Sequence, residues 1–244
     1  MRIALISDVH GNDVAFAAVV DDLRRLGVDS VVSLGDVAQG GAQPPETLDR
    51  LRELGARTVM GNSDAFLLEV PTDSPEPVTE RQLEVREWTL GLLDGQHLSF
   101  MSSFEPTVEI EAGSSRILCF HGSPGSYDDV LLAEWQGATL AAFEERGTFD
   151  LLAGGHTHTQ WARVIGNSLF VNPGSVGLAY DRHQPEDDFS LAPVAEYAIV
   201  FVDDLGLSVE FRSVPFSLDE LRAAVLASGR PYAEDFIGEW RVPG

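Results

Sequence analysis

"RIALISDVHGNDVAFAAVVDDLRRLG", residues 2–27, holds a strand, a turn and a helix in that order. Its first residues form a short apolar run bounded by polar ones, the pattern of a buried strand. Then come Val14, Phe16, Ala17, Val20, Leu23 and Leu26 at helical spacing, with Gly27 as a stop. Between the two elements lie Asp8 and His10. In open α/β sheets ligands bind beyond the carboxyl ends of the strands, so this turn is where chemistry is expected.

Reading outward, the pattern repeats. "DSVVSLG" is a second strand, "PPETLDRLRELG" a helix that begins on prolines and stops at Gly55, and "RTVMG" a third strand. A β-α-β-α-β run with short connections predicts a parallel sheet. "PTDSPEP" (71–77) reads as a loop and "TERQLEVREWTLGLL" (79–93) as a capped helix, giving a helical segment near 71–104. The texture then changes to hairpins. "TVEIEAGSSRILCFHG" reads as two strands around a Gly-Ser turn, "WARVIGNSLFVNPG" as a hairpin at Gly166 and Asn167, and "EYAIVFVDDLGLSVEFRSV" as another turning at 203–206. A polar loop spans 179–193, and a last helix starts at Ser217 with Glu220 completing a capping box. The expected organisation is a single domain over 1–244.

The 244 residues carry 16 basic and 39 acidic side chains, a net charge of −23, and every basic residue is Arg. So acidic a chain repels a phosphate backbone, which excludes non-specific nucleic-acid binding, and without Lys it cannot carry a Walker lysine. A phosphorylated substrate would need a local cation, for which bound metal is the natural source. The longest apolar-rich stretch, "VAFAAVV", is far too short to span a membrane. "MRIALISD" runs straight into a strand without an h-region or cleavage site, and Cys119 is the only cysteine, so a reducing cytoplasm is expected.

The remaining strand ends carry the partners that Asp8 and His10 need. The second strand ends at Asp36, the third leads to Asn62, "CFHG" gives His121, and "LLAGGHTHTQ" gives His156 and His158. Oxygen and imidazole donors without thiolate suit hard or borderline divalent ions. Seven ligands with one carboxylate shared suit two metals about 3.5–4 Å apart, an arrangement that cleaves phosphate esters.

The series "DVH", "GD", "GNSD", "H" and "GHTH" resembles the calcineurin-like metallophosphoesterase superfamily, and "NPGSVG" (172–177) resembles its compact bacterial and archaeal phosphodiesterase branch. The resemblance implies an α/β fold of two packed β-sheets flanked by helices, a four-layer α/β/β/α sandwich. It implies that Asp8, His10, Asp36 and His158 surround one metal while Asp36, Asn62, His121 and His156 surround the other. Manganese is the expected ion, with iron, zinc, nickel and magnesium as alternatives. Water held between the ions would attack a small phosphate-ester substrate, a diester in preference; Asn62 and His121 would also act in catalysis. A phosphomonoesterase or nucleotide phosphatase, and a non-catalytic scaffold of the same fold, are the competing readings. A homo-oligomer is compatible with all three, and no membrane partner is expected.

Where the best-studied members of that family follow the Asn with a proton-donating histidine, this chain has Ser63. A hydroxyl is a far weaker acid than imidazolium, so Ser63→Ala is expected to matter little, and Asp64 becomes the candidate proton donor or a helix cap. Outside the motifs, His97 is expected at the surface, and His183 lies in the long loop near the expected site, with a substrate contact the lesser alternative to plain surface. Cys119 is expected to be buried, Trp88, Leu90 and Leu93 to be core or covering surface, and Asn12 to be an N-cap or a phosphate contact. The acidic pairs Asp21–Asp22, Glu144–Glu145 and Asp187–Asp188 read as solvated surface.

Overall fold

Strand β1 (Arg2–Ile6) buries both its faces, and the alternation of its side chains assigns each face to a different core. Ile3 and Leu5 enter a cluster with Val32, Val108, Ile117, Leu151 and Val200; Ala4 and Ile6 enter another with Phe16, Val19, Leu48 and Tyr197. The first cluster lies between two sheets and the second beneath helices. The computed structural model describes residues 1–70, 78–134, 143 and 148–241. The expected loop at 71–77 and the pair Glu144–Glu145 fall outside them.

β1 pairs in parallel with β2 (Ser30–Ser33), which pairs in parallel with the short β3 (Arg57–Thr58). The hairpin β9 (Val194–Asp203) and β10 (Gly206–Pro215) completes this sheet on the other side of β1, in the order β10-β9-β1-β2-β3. The second sheet is built from β4 (Val108–Ala112), β5 (Ser115–Cys119), β6 (Leu151–Ala153), β7 (Gln160–Ile165) and β8 (Ser168–Pro173), in the order β4-β5-β6-β8-β7. Both sheets are mixed, and helices flank them, as the resemblance implied. The parallel first half is therefore only three-fifths of its sheet. The third strand is shorter than "RTVMG" suggested: past Thr58 only a single bridge, Val59 to Glu105, continues it.

Helix α1 (Asp13–Leu26) is capped by Asn12, whose Oδ1 accepts the Ala15 N–H at 3.1 Å, and ends at Gly27 with φ 61°. Its buried stripe is Ala15, Phe16, Val19, Val20 and Leu23, so Val14 and Ala17 lie beside the core face rather than on it. α2 (Pro44–Leu54) starts and stops where its prolines and Gly55 predict. α3 (Asn62–Leu68) and α5 (Gly95–Met101) bracket α4 (Glu80–Leu92), whose Thr79–Gln82 capping box forms in full. α6 (Leu218–Ser228) has only half its expected box: the Glu220 N–H donates to Ser217 Oγ. It packs with α7 (Ala233–Gly238) in a separate cluster of Ala42, Leu191, Leu221, Val225, Phe236 and Trp240. No helix among the described residues is long and apolar enough to cross a membrane.

Two expectations fail for reasons visible in the packing. His97 is buried, because its ring serves as the N3 partner in a capping box with Asp94 and lies 3.4 Å from Asp49. Asp22 is also buried; Tyr197 donates its hydroxyl to it at 2.6 Å and Arg212 its Nε at 2.8 Å. Those bonds replace hydration and hold the Asp22 carboxyl down at about 2 against the opposing effect of burial. Cys119 is buried in the inter-sheet core, as expected.

Candidate metal centre

Beyond the strands the backbone of β1 and β2 stays paired. The Asp8 N–H donates to Gly35 O at 3.0 Å, and the His10 N–H to Asp36 O at 2.9 Å. This ladder places Asp8, His10 and Asp36 side by side on the rim, and the ends of β5 and β6 deliver His121, His156 and His158 from the second sheet. Six non-glycine residues among those described have left-handed backbone, and five of them are Asp8, His10, Asp36, His156 and His158. Such conformations are unfavourable for side-chain-bearing residues and persist where the surrounding structure enforces them, commonly at functional sites. Two glycines show how tight the rim is. A Cβ on Gly61 would sit 2.1 Å from Asp36 Oδ1, and one on Gly155 2.1 Å from Ser7 Oγ.

The imidazoles are oriented by backbone carbonyls. His10 Nδ1 donates to Gln39 O at 2.7 Å, His121 Nδ1 to Leu34 O at 2.7 Å, and His158 Nδ1 to Leu178 O at 3.2 Å. A carbonyl can only accept, so each Nδ1 carries hydrogen and each neutral ring turns an Nε2 lone pair to the centre. His10 Nε2 and His158 Nε2 then face each other at 3.1 Å, and Asp8 Oδ1 lies 3.7 and 3.3 Å from them. That oxygen is buried and has no hydrogen-bond partner. On the other side, His121 Nε2 and His156 Nδ1 point at Asn62 Oδ1, at 2.9 and 3.1 Å. Asp36 Oδ2 is 3.5 Å from both His10 Nε2 and His121 Nε2.

An orphaned carboxylate oxygen and imidazoles facing one another Nε2 to Nε2 are unfavourable unless a cation, a bound proton or a metal ion, lies among them. Donors bound about 2.0–2.2 Å from an ion stand roughly 3 Å apart, so the spacing fits divalent metal. Asp8, His10 and His158 form one candidate ligand group, and Asp8, Asp36 and His121 another. The protonation equilibria report the same field. Burial disfavours a charged His10, but Asp8 and Asp36 outweigh it and raise the imidazole to about 9. Burial is likewise outweighed by Asp36 at His121, which rises to about 10. Asp8 is held well below the usual carboxylate range by His158 and His10 despite its burial. His156 is lowered, first by burial and then by His121.

The supports of these residues include several that sequence reasoning passed over. Ser7 Oγ donates to Asp8 Oδ2 at 2.5 Å, and the His156 N–H reaches the same oxygen at 3.1 Å. Within "NPGSVG", Asn172 Nδ2 donates to Gly155 O and Thr157 Oγ1, while Ser175 Oγ donates to Asp8 O. Ser7 was legible as the residue at the junction of strand and ligand turn; Asn172 and Ser175 belong to a motif whose task only the packing displays. Ser63 lies against Asp36. Its N–H and Oγ both donate to the Asp36 carboxylate, each at 2.8 Å, so it orients a ligand. Asp64 Oδ2 accepts the Asp36 N–H at 2.7 Å and Oδ1 the Val37 N–H at 2.9 Å. Burial, and then the charge of Asp36, raise Asp64 to about 6. Each of its oxygens accepts a backbone amide, which ties Asp64 to the Asp36 turn. Asn12 is an N-cap whose Nδ2 donates to Gly177 O, and it is fully buried. His183 is exposed on the 179–193 loop.

A family model for the calcineurin-like phosphoesterase superfamily domain matches residues 1–195. A metallophosphoesterase crystal structure from Sphaerobacter thermophilus is similar over 98% of this chain and 97% of that one, with 27% identity and a TM-score of 0.70. The crystal structure of a hypothetical protein from Pyrococcus horikoshii shares the fold at a TM-score of 0.78 and 16% identity, covering 97% of this chain and 96% of that one. An uncharacterized protein of Methanocaldococcus jannaschii is 23% identical over 97% of this chain and 96% of its own length.

Proposed function

This chain belongs to the calcineurin-like phosphoesterase superfamily, and from that premise we propose that it is a dinuclear-metal phosphohydrolase that favours phosphodiesters. The observation that carries the reading is Asp36 Oδ2, equidistant at 3.5 Å from His10 Nε2 and His121 Nε2, where one oxygen can serve two ions. Asp8, His10, Asp36 and His158 would hold the first ion; Asp36, Asn62, His121 and His156 would hold the second. When bound, the pair supplies Lewis acidity toward a phosphoryl oxygen and a water of lowered pKa as nucleophile. The chain's own residues keep the ligands in register: Ser7 fixes Asp8, Ser63 and Asp64 fix Asp36, and backbone carbonyls fix three of the four imidazoles, those of His10, His121 and His158.

Preference for diesters is supported by charge. Among the described residues no Arg pairs with any of the seven ligands, so no side-chain cation in direct contact with them offsets the second negative charge of a monoester. Four imidazoles with carboxylate and amide oxygens suit several hard or borderline divalent ions, and manganese is the one we propose to test first. The test is turnover of a chromogenic diester and its matched monoester by manganese-loaded protein, with ions counted per chain. Two ions and faster diester turnover are expected. One ion at saturation, or no turnover of either ester, would overturn the reading; faster monoester turnover would transfer it to a phosphomonoesterase.

A further inference from the structure

The 179–193 loop leaves the metal centre at Leu178, whose carbonyl holds His158, and the next aromatic residue lies against that imidazole. The Tyr180 ring is 6.2 Å from the His158 ring, edge to face, and 5.4 Å from the Phe189 ring. The back of Tyr180 packs on the cluster of Ala42, Leu191, Phe236 and Trp240, while Phe189 is 40% exposed. The base of the loop is closed by the Ala192 N–H donating to Ala179 O, and there it is also tied to the C-terminal segment, with the Leu191 N–H donating to Glu239 O and the Arg241 N–H to Leu191 O.

Several polar groups of the loop are already engaged. Gln184 exchanges three bonds with Ser190, Arg182 pairs with Glu134, Arg241 pairs with Asp188, and Asp181 accepts the His183 N–H. Beside His158 the loop places the Tyr180 ring, with the Phe189 ring against it. A planar ring stacked on an aromatic side chain gains affinity without hydrogen-bond donors or acceptors.

We infer that Tyr180 and Phe189 form a platform that binds a planar aromatic substituent, aryl or nucleobase, on the substrate's phosphate. This rests on the phosphohydrolase reading of the adjoining centre, but its test does not depend on turnover. Stacking of one base on an aromatic side chain strengthens binding about 5–150-fold.

The experiment measures Kd by calorimetry on manganese-loaded protein for methyl phosphate, phenyl phosphate, ribose 5-phosphate and adenosine 5′-monophosphate. Two ratios are read, phenyl against methyl and nucleotide against ribose phosphate. The wild type is expected to favour at least one aromatic ligand by about tenfold, and whichever ratio is larger distinguishes an aryl from a nucleobase substituent. Tyr180→Leu and Phe189→Leu retain apolar bulk, so the fold is kept, and together they should bring both ratios below about twofold. The ion count should be unchanged. Ratios near one in the wild type, or unaltered ratios in the double variant, would overturn the platform. A lost ratio accompanied by a lost ion would overturn it too, because the effect would then belong to His158. If no ester were hydrolysed while the ratio held, the hydrolase reading would fail and the platform would stand.

Discussion

Replacing Ser63 by alanine removes one bond from the carboxylate on which both proposed ion sites depend. The hydroxyl donates to Asp36 Oδ2 at 2.8 Å, and Asp36 is only 2% exposed, so water does not readily take the hydroxyl's place. A hydrogen bond to a charged group contributes about 1.5–3 kcal/mol, which corresponds to roughly 10–150-fold in an equilibrium constant. The Ser63 N–H bond to Asp36 Oδ1 survives the substitution, so the carboxylate stays near its place but is free to rotate about one anchored oxygen. Manganese affinity should therefore fall about 10–100-fold, the usual cost of losing a partner behind a metal ligand. Both ions should weaken, since the residue affected is the shared one. The assay is calorimetric manganese titration of wild type and Ser63→Ala, with diester turnover measured at saturating metal. Recovery of most activity at saturation would show that the hydroxyl orients a ligand. An affinity within twofold of wild type would refute the reasoning and restore the expectation drawn from sequence alone.

Asp36→Ala should leave no fully occupied site, whereas His10→Ala should remove one ion of the two, as elemental analysis after gel filtration would show. Turnover should fall steeply as leaving-group pKa rises, because the Ser63 hydroxyl and both Asp64 oxygens are already committed; a flat dependence across a diester series would reveal another acid. Glu196, whose carboxyl burial pushes up to about 7, should make the fold pH-sensitive. Its native pKa lies above the unfolded value, so its burial costs nothing below about pH 4.5. The penalty grows as pH rises and levels off above 7 at up to about 3 kcal/mol. Glu196→Gln should flatten that slope and raise Tm at pH 8; an unchanged profile would show that solvent already screens the group.

Much of this protein is determined locally. The alternation in "RIALIS", the Asn12 cap and Gly27 stop of α1, and the prolines and glycine that bound α2 are properties of short segments. The candidate ligands were legible because each follows a strand-like run, and the order of strands already implies that their ends meet. What the sequence could not specify is which sheet each hairpin joins. "EYAIVFVDDLGLSVEFRSV" reads as a hairpin wherever it lies, and its place beside β1 follows from matching Ala198 and Val200 to one core and Tyr197 and Ile199 to the other. Burial of Asp22 has the same origin, since Tyr197 and Arg212 arrive from that distant hairpin. Asp64 looked like a proton donor or a helix cap, and Ser63 like a residue of little consequence, because their own chemistry permits it. Only the packing of the α3 turn against the Asp36 turn commits their donors and acceptors to that aspartate, since a side chain's role is set by the partners within about 3 Å of it, and those come from the whole fold.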